Sequence, residues 1–191
     1  MDKTASLKLL VDTTTDKVVF AEAGKDFVDF LFGLLQLPLG GILAALPGQA
    51  VSGSIIKIYE SAQNLADEYL QPSQTKNSLL RPATATSNTE PSPLLKALPF
   101  SFQGSSSSYS SYDRPNVVQG YVKSAVVYTV ADDLTVKPLS TVSSLALLNS
   151  LKVKDIGVLQ EKIVVVGMDE GLKLLKASLE STTVLTDVFL R

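Results

Sequence analysis

The spacing of apolar residues changes character along the chain, and each change predicts an element. Leu7-Lys8-Leu9-Leu10-Val11 and Val18-Val19-Phe20-Ala21 are short β-rich runs flanking the turn-rich stretch Asp12-Thr13-Thr14-Thr15-Asp16-Lys17, a hairpin pattern. From Phe27 the period lengthens. Phe27, Phe30, Leu31, Leu34 and Leu35 recur three and four apart and predict a helix that Pro38, Gly40 and Gly41 stop. A second helix is expected after Ser54, which can cap it, with Ile55, Ile58, Ala62, Leu65 and Tyr69 on one face and Pro72 at its end.

Between Gln71 and Val117 the periodicity disappears. Six prolines fall here (Pro72, Pro82, Pro91, Pro93, Pro99 and Pro115), together with the run Gly104-Ser105-Ser106-Ser107-Ser108. Little apolar surface is available to offset ordering entropy, so the span reads as a linker, with Leu94-Leu95-Lys96-Ala97-Leu98 as a small island able to dock. Order returns at Tyr121. Ala125–Val130 and Leu134–Lys137 are expected strands around the turn Ala131-Asp132-Asp133, and Ser140 or Thr141 can cap a helix carrying Leu145, Leu148 and Leu151. Lys154–Leu159 is expected to start a short helical piece. Val164-Val165-Val166 reads as β-branched and apolar, and Asp169 as the cap of a helix bearing Leu172, Leu175 and Leu179. Thr183–Phe189 is expected as a closing strand or extended tail.

The two ordered halves keep step. Sliding the chain by about 116 residues lays Leu7–Leu43 over Lys123–Leu159, with Val11 on Val127, Asp16 on Asp132, Leu31 on Leu147 and Gly41 on Gly157. The expected architecture is therefore α+β: two related strand-turn-strand-helix(-helix) units joined by a disordered Pro/Ser-rich linker. Residues 1–72 form the first unit, 73–118 the flexible linker and 119–191 the second unit, the whole making one compact domain. Pseudo-twofold packing of the halves is the natural hypothesis.

Composition narrows the chemistry. The 191 residues include no histidine, cysteine or tryptophan, so no thiolate zinc site, disulfide, Cys nucleophile or His base is available. A net charge of −2 with no basic patch argues against nucleic-acid binding. Phe27–Leu46 has the length of a membrane span, but Asp29 and the Pro38-Leu39-Gly40-Gly41 break favour two short buried helices. The start Met-Asp-Lys-Thr-Ala-Ser lacks a secretory pattern, which with the absent cysteine fits an intracellular setting, cytoplasm or nucleus.

Candidate chemistry is sparse. No glycine cluster completes a phosphate-loop motif. Glu22, Lys25, Asp26 and Asp29 gather where the hairpin meets the first helix and read as capping charges; Asp132-Asp133 reads as a turn former. We therefore assign no catalytic, cofactor-binding or metal residues and expect no cofactor.

Several segments resemble a plant family. Leu7-Lys8-Leu9-Leu10-Val11-Asp12-Thr13, Val19–Leu31, Leu35–Gly40, Tyr69-Leu70-Gln71-Pro72, Pro138-Leu139-Ser140-Thr141, Val166–Gly171 and Thr183–Leu190 are similar to the family known as domain of unknown function 674. The resemblance implies an intracellular land-plant protein and brings no activity or catalytic residues. Many members carry a cysteine-containing insert between the halves. Here that span has none, so no metal role is carried over.

Two functions follow as expectations. The first is a non-catalytic protein-interaction or adaptor module, with a protein partner or self-association and neither nucleic acid nor membrane as target. The alternative is a protein that binds a small apolar metabolite, or a His/Cys-independent enzyme, with a pocket between the halves lined by Phe27, Phe30, Phe32 and Tyr59.

Overall fold

Alternation of apolar and polar residues makes the first strand, β1 (Ala5–Asp12), bury every second side chain. It turns through Asp12, whose Oδ1 accepts the N–H groups of Thr14 (2.8 Å) and Thr15 (3.3 Å). Asp16, at φ 51, completes the reversal into β2 (Lys17–Ala23). These positions belong to a computed structural model that describes residues 4–46, 54–66, 75–85, 89–103, 118–141 and 156–191.

Helices α1 (Lys25–Leu34) and α2 (Leu39–Ala45) follow the hairpin, as expected from the Pro38 break. The described chain then runs through α3 (Ser54–Asn64), α4 (Lys76–Leu80), β3 (Thr84–Ala85), β4 (Thr89–Glu90), α5 (Pro93–Ala97), β5 (Phe102–Gln103) and β6 (Val118–Gln119). The second half supplies β7 (Tyr128–Ala131), β8 (Val136–Pro138), a 3-10 turn at Ile156–Val158, β9 (Leu159–Val166), α6 (Met168–Glu180) and α7 (Val184–Phe189).

Five strands form one antiparallel sheet in the order β8-β7-β2-β1-β9. The N-terminal hairpin thus lies in the middle, flanked on both sides by strands of the second half. One face is closed by helices. Leu7, Leu9, Val130 and Val166 from the sheet meet Phe27, Val28 and Phe30 of α1, Leu94 and Leu95 of α5, Leu174 and Leu175 of α6, and Leu185 of α7. Burial of these side chains, each worth about 1.5–3 kcal/mol, is the main source of stability.

The chain is thus α+β and built of two halves, each supplying an antiparallel hairpin. The hairpins are not related by the hypothesised twofold. An axis between β2 and β7 would exchange the second strand of one hairpin with the first strand of the other, whereas the observed order continues β1-β2-β7-β8 as a single meander.

Four local expectations change. The span 73–118 is folded in part: Ser92 Oγ accepts the Leu95 N–H at 3.2 Å and Pro93 opens α5, so the Leu94–Leu98 island docks as a helix in the core. Its close approach to α1 depends on Gly33, where a Cβ would lie 2.6 Å from the buried Leu95 Cδ2. The helical piece expected over 154–159 is present as the 3-10 turn Ile156–Val158 but stops there, and the strand begins at Leu159, well before the β-branched Val164–Val166 run, because all eight residues 159–166 pair with β1. Residues 184–189 are helical and not extended, because Val184 and Leu185 turn into the core and the N-terminal N–H groups find an external acceptor. The strand expected over 125–130 begins only at Tyr128. The helix expected to carry Leu145, Leu148 and Leu151, and the Gly104–Tyr112 run, lie outside the described residues.

Candidate functional site

The charges that cluster in sequence at the end of the hairpin separate in space. Glu22 emerges on the sheet face away from the helices and pairs with Lys8 (3.0 Å), which also reaches Glu161 (3.3 Å). Asp26 stays exposed in the first turn of α1. Asp29, one turn further on, is buried. Its Oδ2 takes Lys25 Nζ at 2.5 Å, and its Oδ1 accepts the N–H groups of Tyr121 (2.7 Å) and Val122 (3.0 Å). Lys25 also donates to the Val122 carbonyl at 2.9 Å. The approach needs Gly120, whose φ of 75 suits glycine and whose missing Cβ leaves room for the carboxylate. Both carboxylate oxygens face donors, so Asp29 acts as a tie between the halves. Burial and the Asp29 charge together raise the Tyr121 phenol above its ordinary value.

Asp132 makes a second tie. Its Oδ1 accepts the Thr186 N–H (2.7 Å), its Oδ2 the Thr186 hydroxyl (2.8 Å), and its carbonyl the Val184 N–H (2.7 Å). Thr186 Oγ1 in turn accepts the Val18 N–H at 2.9 Å. The turn residue is therefore also a cap for α7, supplied from 54 residues away. Burial pushes its carboxyl up, against the hydrogen bonds from Thr186. Asp133 keeps the expected turn role, accepting the Thr135 N–H at 2.9 Å.

A shallow groove of about 250 Å³ opens between α6 and α7, with Lys173, Lys176, Glu180 and Asp187 at its rim. It is open to solvent and smaller than usual small-molecule sites. Asp187 is already bound by the hydroxyls of Ser181 (2.5 Å) and Thr183 (3.2 Å) and by Arg191 (2.6 Å). The Ser181 hydroxyl is the main cause that holds its carboxyl below the ordinary value. The four aromatic residues expected to line a pocket are not gathered around one. Phe27 and Phe30 are closed in the core with ring centroids 6.1 Å apart, Phe32 packs edge-on against Tyr121, and Tyr59 lies on α3 against α2 and α4. Among the described residues, no group of three or more acidic side chains is placed to hold a metal ion. No single described helix is long and apolar enough to cross a membrane; α1 and α2 reach that length only as a pair bent by 109°.

What sequence reasoning missed is the extent of β9, of which only the Val164–Val166 end reads as β-branched and apolar. The strand is the edge of the sheet, eight residues long, and its Ile163 and Val165 are 73% and 60% exposed. The opposite edge, β8, has three residues and ends in Pro138. A strand signal was present in Leu159, Ile163 and Val165, which recur at even spacing, but the polar run Gln160-Glu161-Lys162 masked it.

These features define an α+β protein in which buried Asp29 joins the two halves, Asp132 caps α7, and the sheet ends, among the described residues, in one long free edge. The chain belongs to the family described as "Protein of unknown function (DUF674)", whose model matches residues 1–92 and 100–191. Comparison with curated proteins and with solved structures gives no match.

Proposed function

We propose that this chain is a non-catalytic protein-interaction module acting inside the plant cell. The observation that carries the reading is the β9 edge, where a long strand presents backbone groups unpaired among the described residues, together with exposed Ile163 and Val165. Natural sheets usually blunt such edges by shortening, proline or charge. Strand addition to a free edge is a common mode of peptide and protein recognition. The buried Asp29 and half-buried Asp132 support the same reading, since both are engaged by donors that fix the fold.

The test is affinity purification of the tagged 191-residue chain from plant extract, with cross-linking to locate the contact. The expected result is a stoichiometric protein partner, or a second copy, cross-linked near β9. A chain that stays monomeric and recovers no partner overturns the reading.

A further inference from the structure

The direction of each backbone group on the free edge follows from one hydrogen bond. Thr13 N–H donates to the Val158 carbonyl at 3.0 Å, just beyond the Asp12–Leu159 pair that ends the β1–β9 register. In an antiparallel ladder such bonded pairs alternate with non-bonded ones. Gln160, Lys162, Val164 and Val166 therefore turn their backbone groups toward β1. Leu159, Glu161, Ile163 and Val165 turn theirs outward, to the unpaired side. The exposed side chains of Ile163 and Val165 rise from the same residues that offer free N–H and C=O groups.

This strand can pair with itself, and charge selects the register. For a continuous antiparallel sheet that keeps its two faces, the twofold axis must pass through a residue. An axis at Glu161 sets two carboxylates opposite each other, and one at Lys162 sets two ammonium groups opposite each other; both are unfavourable. An axis at Ile163 places Ile163 on Ile163 of the second copy and Glu161 beside Val165, with no like charges opposed. Its outward-facing residues form bonded pairs, giving about six inter-chain backbone hydrogen bonds. An axis at Val164 also avoids like charges but gives only about four.

We propose that the occupant of this edge is a second copy of the same chain, paired antiparallel through β9 about a twofold axis at Ile163. The proposal rests on the interaction-module reading and names its partner. The β8 edge does not compete, because Pro138 has no N–H to donate.

The natural absence of cysteine makes the register directly readable. A bonded antiparallel pair sets its Cα atoms about 5.5 Å apart, within disulfide reach. Under mild oxidation, Ile163→Cys should give a covalent dimer and Glu161→Cys should not. By light scattering at tens of micromolar, the unmodified chain should run at twice its 20.4 kDa. Ile163→Lys and Ile163→Glu should each lose the dimer while keeping the same circular dichroism, and mixing the two should restore it. Should either charged variant misfold, the Ile163→Cys and Glu161→Cys pair still reads the register.

A dimer that survives Ile163→Lys, or a disulfide that forms better through position 161 than through 163, overturns the proposal. So does a monomeric wild type. If that monomer still captures a partner in an Ile163-dependent way, self-pairing fails and the interaction module stands; if it captures none, both fail.

Discussion

The second half of the chain holds the N-terminal hairpin from two sides, and by different means. On one side β7 and β8 are short, and polar ties secure them: Asp29 grips the segment before β7, and Asp132 joins the β7–β8 turn to α7. On the other side β9 pairs with β1 along all eight residues. A short strand pinned by buried side chains has little edge left to offer, and Pro138 removes a donor from it. A long strand held by its ladder needs no such pins and presents a full row of groups outward. The difference teaches where association can occur without disturbing the fold.

The comparison breaks most readily at Asp29. Asp29→Ala leaves two backbone N–H groups without their acceptor and Lys25 with the Val122 carbonyl but no counter-charge, and should lower unfolding free energy by about 3–5 kcal/mol in urea titration. Asp132→Ala should cost less, about 1–3 kcal/mol in the same measurement, because it removes the acceptor for Thr186 while the α7 face stays packed. Lys162 Nζ also bonds the Phe189 carbonyl at the far end of α7, so the helix keeps one of its ends.

A smaller effect is read against pH. The folded-state carboxyl of Asp187 lies below its ordinary 3.8, so the stability it contributes is present above that value and is lost as pH falls through the folded value. The difference in Tm between the wild type and Asp187→Asn should therefore be constant above about pH 5 and shrink in more acid solution. Smallest of all is the effect on stability at the free edge. Ile163→Lys should change unfolding free energy of the monomer by less than about 0.5 kcal/mol, since the side chain is already exposed. A large loss there would mean that Ile163 supports the fold and that the two edges are alike.

Much of this arrangement was legible from local pattern. The hairpin, α1, its stop at Pro38, the Asp132-Asp133 turn and α6 each carry their own periodicity or turn residues. What was not legible depends on distant partners. Thr183–Phe189 is rich in β-branched residues, yet Asp132 caps it and the core takes Val184 and Leu185, so tertiary context overrides propensity. In β9, Lys162 and Glu161 disguise a strand that only β1 makes evident. The Asp29 site reads as helix capping because the sequence around it says nothing of Tyr121 and Val122. The Leu94–Leu98 island was visible, but its destination was set by the notch at Gly33.

The central position of β1 and β2 has a consequence for the order of folding. They are synthesised well before their sheet neighbours Tyr128–Ala131 and Leu159–Val166. An emerging chain therefore exposes an unfinished hairpin, open along both sides, until β7 and β9 follow. Such distant pairing slows folding and prolongs exposure of strand edges. The β1–β2 hairpin is thus the segment most in need of protection during synthesis, and the later strand that ends this exposure, β9, is the same one that leaves the sheet its free border among the described residues.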